Sequence, residues 1–191
     1  MRELVEIRWH ARAGQGAVTA SKLLAETALM QGQYIQAMPE YGPERTGAPL
    51  KAYTRVSDSS IELHNNIVTP DIVVILDDTL LSFVDVLEGI RDGGTVIINT
   101  RMDADEVRSI LSAPSSLKIA TVDASGIALR TIKRDIPNTP IVGVLAEVTK
   151  VVPVDALRQN LIHTFSKKFA QEVIDANLAS VDEAIKEVKV A

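Results

Sequence analysis

Hydrophobic and polar positions along the chain alternate between a strand rhythm and a helix rhythm. Leu4 to Trp9 predicts a first strand. Ala17 to about Gln31 predicts a helix, because Ala20, Leu23, Leu24, Ala28 and Leu29 recur at helical spacing and Gly32 fits the stop. Tyr34 to Met38 reads as a second strand ending at Pro39, and Leu50 to Val56 as a third, followed by an Asp58-Ser59-Ser60 turn. Ile61-Glu62-Leu63 is expected to pair back as a short hairpin, adding an antiparallel element. Ile72 to Leu76 is a continuous aliphatic run, as in a strand covered on both faces. Asp77-Asp78-Thr79 then offers N-cap chemistry for a helix to about Arg91, ended by Gly93-Gly94. Thr95 to Asn99 and Leu117 to Val122 are further buried strands, followed by helices over Ala104 to Leu111 and from Asp123 through about Lys133. This rhythm predicts an α/β fold: an open, mostly parallel, doubly wound sheet with flanking helices.

The last third has a different texture. From Val142 onward no strand is expected. Val154, Leu157, Leu161 and Phe165 form one apolar stripe, with Pro153 and Asp155 suited to its first turn. Phe169, Val173, Val181, Ile185 and Val188 suggest another helix. The expectation is a single domain over residues 1–191, with a helical C-terminal extension from about 142 to 191 that packs back over the sheet or meets another subunit.

Composition narrows the function classes. Hydrophobic residues make up 46% and charged residues 24%, which argues against disorder. A formal net charge of −5 gives no support to nucleic-acid or anionic-membrane binding. No segment approaches the roughly 20 apolar residues of a membrane span, and Met1 to Glu6 lacks the apolar core of a signal peptide. A cytoplasmic location is therefore expected. There is no cysteine, which removes disulfides, thiolate nucleophiles and cysteine-ligated iron–sulfur clusters. His10, His64 and His163 lie far apart, so no metal site is expected within the chain.

The chemistry concentrates in two loops. Gly14-Gln15-Gly16 follows a strand and opens a helix, where free amides and the helix dipole favour an anion. A dinucleotide fingerprint would place a third glycine where Thr19 stands, and Glu40 lies about where a ribose-binding acid belongs. A tight strand-to-helix turn without a ligand is the competing reading. The second loop, Glu40-Tyr41-Gly42-Pro43-Glu44-Arg45-Thr46-Gly47, sets Glu44 and Arg45 between glycines, an arrangement suited to presenting a planar guanidinium to a carboxylate or phosphate. A solvated surface ion pair is the alternative. Arg8, His10 and Arg12 alternate, so an extended segment would put them on one side. Pro137-Asn138-Thr139-Pro140 reads as a rigid turn suited to an interface. Asp77 and Asp78 are better explained as a helix cap than as a catalytic pair, and no serine has a nucleophile-elbow context. The residues thus lack a self-contained catalytic apparatus.

Five runs carry a family likeness: Arg8-Trp9-His10-Ala11-Arg12-Ala13-Gly14-Gln15-Gly16-Ala17-Val18, Pro39 through Gly47, Ile136-Pro137-Asn138-Thr139-Pro140, Lys167-Lys168-Phe169 and Val173-Ile174-Asp175-Ala176-Asn177. Together they resemble the gamma subunit of the 2-oxoacid:ferredoxin oxidoreductases, on the pyruvate and ketoisovalerate branch. Ala11 and Ala13 depart from that pattern, which commonly carries glycine there. The resemblance implies a component of a multisubunit enzyme that oxidatively decarboxylates a 2-oxoacid, reduces ferredoxin and releases an acyl-CoA. It implies thiamine diphosphate and magnesium held by alpha and beta subunits, iron–sulfur clusters on a ferredoxin-like delta subunit, and no cofactor bound by this chain alone. Arg12, Gly14, Gln15, Gly16, Glu40, Tyr41, Gly42, Glu44, Arg45, Gly47, Asn138 and Thr139 are the expected interface or coenzyme A-approach residues.

Overall fold

The computed structural model describes residues 4–40 and 47–191. Seven strands form one sheet: β1 (Leu4–Arg12), β2 (Tyr34–Glu40), β3 (Pro49–Ser57), β4 (Ile72–Ile75), β5 (Thr95–Asn99), β6 (Lys118–Val122) and β7 (Lys189–Val190). Among the described residues six α-helices accompany them: α1 (Ala17–Met30), α2 (Ala104–Leu111), α3 (Ala124–Thr131), α4 (Asn138–Thr149), α5 (Val154–Phe165) and α6 (Gln171–Glu187). The strand order is β2-β3-β1-β4-β5-β6-β7. β1, β4, β5 and β6 are parallel neighbours; β3 and β7 run the other way, and β2 points with the parallel set. The fold is therefore the expected open, mostly parallel α/β sheet with flanking helices.

Alternation along β1 decides which face each side chain meets. Ile7, Trp9 and Ala11 enter the larger core with Leu24 of α1, Val74, Ile97 and the α4 residues Ile141, Val144 and Leu145. Trp9 is fully buried, and its indole N–H donates to Thr54 Oγ1 at 2.9 Å, satisfying the polar end of a large apolar side chain. The opposite face of the β4–β6 region holds a smaller core of Val73, Ile75, Val96, Ile98, Ile119 and Val107. Strands β4 to β6 are apolar on both faces for this reason, and their unbroken Ile/Val runs are the sequence signature of that double cover.

Several expectations are corrected. Residues 61–63 form no strand; instead Leu63 O accepts from Gln36 Nε2 at 2.8 Å, and the antiparallel component comes from β3 and β7. The segment expected to be helical to Arg91 contains only a 3-10 helix, Asp78–Ser82, and then turns. The buried Arg8 guanidinium takes the carbonyls of Val86 and Glu88 at 3.1 and 2.6 Å, which would have been acceptors for helical amides. Pro137–Pro140 is not an isolated turn. It starts α4, with Pro140 in the first turn, where its missing N–H is tolerated. Helix α4 is buried nearly all round, and Gly143 lets α6 come close: a Cβ there would sit 2.9 Å from Val181 Cγ1. β7 is a strand beyond Val142, two residues pairing Val190 with Ala120. The C-terminal helices pack back over the sheet, with Leu157, Leu161, Val181 and Ala184 in the larger core.

Candidate functional site

The C-terminal ends of β1, β4, β5 and β6 share one edge of the sheet, the place where ligands and partners of open α/β sheets dock. β1 runs three residues beyond its expected end, carrying Arg12 to this rim on the same side as Arg8 and His10. Arg12 is then held from four directions. Its Nε and Nη2 donate to Thr79 Oγ1 at 3.1 and 2.8 Å, and its Nη1 donates to Gly47 O at 3.0 Å. Nε lies 3.3 Å from Asp77 Oδ2, and the guanidinium sits 5.2 Å from the Phe83 ring centroid, a cation–π distance.

Gln15 closes the circle. Its Oε1 accepts from the Arg12 amide at 2.8 Å and its Nε2 donates to Asp77 Oδ2 at 2.6 Å. Asp77 also accepts from the Thr79 backbone and hydroxyl. Partial burial alone would push the Asp77 carboxyl up, but the bonds from Thr79 and Gln15, with the Arg12 charge, hold it below its ordinary value. The two loops are stitched by backbone as well: Ala13 N donates to Ala48 O at 3.0 Å, and Gly47 N to Ala13 O at 3.4 Å. The structure thus brings Arg12, Gly14, Gln15 and Gly47 together.

Gly16 ends the first loop at φ +84°, left-handed backbone that glycine adopts without strain. A Cβ there would lie 2.7 Å from Asn138 Nδ2. That contact places Asn138 and Thr139, at the start of α4, against the first loop; Asn138 Oδ1 accepts from Thr139 N at 2.7 Å. Glu40 stands apart at the end of β2 and accepts from Tyr53 OH at 2.6 Å. Burial, then Glu40, pushes the Tyr53 hydroxyl above its ordinary range. Tyr41, Gly42, Glu44 and Arg45 lie outside the described residues.

Two hollows open at this rim. One, of about 210 Å³, is lined by His10, Glu40, Leu50, Lys51, Leu80 and Val84. His10 is 2% exposed, and its Nε2 accepts from Arg8 Nε at 3.0 Å, which requires a neutral ring. Burial first, then the Arg8 and Lys51 charges, bring it down to about 3. Burial also lowers Arg8, against the opposing pull of Glu88. The other hollow, of about 360 Å³, lies over the parallel strand ends between Asp77, Asn99, Arg101, Asp123, Ser125 and Asp135. Asn99 Nδ2 donates to Leu76 O and Ser125 Oγ at 2.9 and 3.1 Å, and its Oδ1 accepts from Ser125 N at 3.0 Å. Thr100 donates to Asp78 at 2.7 Å, and Arg101 pairs with Asp123 at 3.2 Å.

Asn99, Thr100, Arg101, Ser125, Thr79 and Phe83 were missed by sequence reasoning. The signal available for some was the first polar residue after each buried strand, read only as a helix start at Asp77 and Asp123. Four carboxylates, Asp77, Asp78, Asp123 and Asp135, face this hollow against Arg101, so it disfavours a polyphosphate. Dinucleotide binding is also opposed by topology. β3 lies between β1 and β2, which moves Glu40 two strand spacings, about 10 Å, from the Gly14–Gly16 turn. Among the described residues no three or more His, Cys, Asp or Glu converge as a metal site, and no helix is long and apolar enough to cross a membrane.

The fold and rim define a class: a doubly wound α/β subunit whose polar strand-end edge is fixed by its own internal bonds. The model of the pyruvate ferredoxin/flavodoxin oxidoreductase family matches residues 6–187, and the chain belongs to that family, as a gamma-type subunit. It is 49% identical over 184 residues to the pyruvate synthase subunit PorC of Thermotoga maritima, covering 96% of this chain and 94% of that one. It is 45% identical over 163 residues to the pyruvate/ketoisovalerate oxidoreductases common subunit gamma of Thermococcus kodakarensis, covering 85% and 88%. The crystal structure of the Thermotoga maritima pyruvate oxidoreductase subunit PORC superposes with a TM-score of 0.88 at 45% identity, covering 100% of this chain and 99% of that one. A 2-oxoglutarate:ferredoxin oxidoreductase from Magnetococcus marinus shares the fold alone, at 17% identity and a TM-score of 0.76; the match spans 96% of this chain and 31% of that longer one.

Proposed function

We propose that this chain is one gamma-type domain that docks through its strand-end rim on the alpha and beta subunits of a cytoplasmic, thiamine diphosphate-dependent 2-oxoacid:ferredoxin oxidoreductase. The complex converts pyruvate or a related 2-oxoacid, with coenzyme A, to acyl-CoA and CO2 while reducing ferredoxin. The observation that carries this reading is the closed network of Arg12, Gln15, Asp77, Thr79 and Gly47, which fixes a polar rim without supplying a nucleophile and base. Thiamine diphosphate with magnesium, on the partner subunits, supplies the decarboxylation chemistry. A chain without cysteine cannot ligate an iron–sulfur cluster through thiolates, so the electron path belongs to the delta subunit.

This chain's part is to hold a shape. The Arg12 charge is already matched by Asp77, so Arg12 and Gln15 position the two loops and leave Glu44 and Arg45 to meet the partner or the approach of coenzyme A. The acidic hollow at Asp78, Asp123 and Asp135 turns the anionic coenzyme away from the parallel strand ends. In the reconstituted complex, Arg45→Glu should weaken assembly or raise the KM for coenzyme A. Normal assembly with unchanged kinetics would reject the docking role. The internal neutralisation of Arg12 also favours a second reading, a subunit that serves assembly only. In that case loop substitutions alter complex stability and never the KM of the assembled enzyme.

A further inference from the structure

A second surface lies on the outer helical layer. α5 is pinned to α1 by Asn160, whose buried Nδ2 donates to Leu23 O at 3.2 Å and to Thr27 Oγ1 at 3.0 Å. Between these helices run two hollows, of about 160 and 390 Å³, that share Glu26 and Thr164 and so form one continuous groove. It starts beside Asn138 and Thr139 at the rim and ends between Met30 and Lys168. Its α1 wall is the exposed stripe Thr19, Lys22, Glu26, Leu29 and Met30, at helical spacing. Thr19 to Met30 spans about 17 Å, the length of about three helical turns.

The groove is mainly apolar beside Asn138 and Thr139 and mixed toward Lys168, with lysines along its edge. Leu29 and Met30 are 58% and 50% exposed, and Phe165 and Phe169 pack beside it with ring centroids 5.2 Å apart and planes tilted by 58°. Lys22, Lys167 and Lys168 line it, and Glu26 is the one carboxylate among its lining residues. Among the described residues none of these lysines forms an ion pair; Lys167 Nζ instead meets His163 Nε2 at 2.9 Å. On a chain of net charge −5, this is a local reversal of sign.

We propose that the α1–α5 groove receives an acidic amphipathic helix from another subunit of the oxidoreductase complex. Apolar side chains at i, i+3 or i+4 and i+7 would lie against Leu29, Met30 and Phe165, and carboxylates would meet Lys22, Lys167 and Lys168. A second copy docked groove to groove is disfavoured, because each copy brings Lys22, Lys167 and Lys168 against the single carboxylate Glu26. The inference rests on the reading of the chain as a subunit of a larger assembly.

The test is zero-length carbodiimide cross-linking of the purified native complex, which joins an amine only to a carboxylate in contact with it. Peptide mass spectrometry should find Lys22, Lys167 or Lys168 joined to Asp or Glu of one helical segment on another subunit. The surface variant K167E/K168E should weaken retention of this chain on the order of tenfold at low salt, with the effect shrinking as salt is raised. Met30→Asn, an uncharged change at an exposed helix end, should weaken retention independently of salt. Cross-links only to a second copy, or none from these lysines while other subunits are present, would overturn the groove assignment alone. If the chain ran free of companions throughout native fractionation of the cell extract, the reading of it as part of an assembled complex would be overturned.

Discussion

Acidification should destabilise this chain through one buried ring. His10 is neutral, nearly inaccessible, and accepts a bond from Arg8 Nε. Protonation would remove that acceptor and set two cations side by side. Its folded-state value is near 3 against an ordinary 6.5. Because the folded value is depressed, the contribution is fully present above about pH 6.5 and is lost progressively as pH falls toward about 3, while the unfolded chain takes up the proton. From pH 7 to pH 5 the unfolded histidine becomes protonated over about one and a half units at 1.36 kcal/mol each, so stability should fall by about 2 kcal/mol. Asp77 does not blur the window, since a depressed carboxyl loses its contribution only below its ordinary 3.8. The assay is urea unfolding of wild type and His10→Gln at pH 7, 6 and 5. Glutamine keeps an acceptor oxygen for Arg8 and does not titrate. The wild-type minus variant difference should shift by about 2 kcal/mol across that range. A difference that stays constant with pH would refute the account of His10 as a neutral acceptor.

Two further substitutions probe the scaffold. Gly16→Ala meets both a positive φ and the Asn138 side chain, and should cost about 2–3 kcal/mol. Denaturant unfolding of Gly16→Ala/Asn138→Gly should recover the contact part and leave about 1 kcal/mol of backbone strain. Asn160→Ala removes the tie between α5 and α1 and should cost about 1–3 kcal/mol in the same assay, with faster hydrogen exchange in α5 than in the sheet.

Local signals made several elements legible. Ala104–Leu111 and Thr95–Asn99 lie where periodicity and the apolar run put them, and the Val154–Phe165 stripe is a helix. Helix α4 escaped because a segment that is apolar on every side shows no amphipathic period, and its two prolines look like a turn. The 79–91 segment misled because its carbonyl partner, Arg8, is remote in sequence. The insertion of β3 between β1 and β2 is a non-local choice that no window of residues encodes, and it removed the ribose-acid role suggested for Glu40. At the site, Arg12, Gln15, Gly16, Gly47, Asn138 and Thr139 do converge on one edge. Their partners Asp77, Thr79 and Phe83 were hidden inside a segment read as a helix start.

The borders of the sheet have a bearing on how the chain survives before its companions arrive. One border strand, β7, is only two residues long, and the other, β2, carries Pro39 near its end, where an amide that could recruit a neighbouring backbone is missing. β7 offers almost no length for another copy to pair along, and on the β2 side the proline confines an open template to Tyr34–Met38, so the border that a lone subunit exposes to its own kind is short.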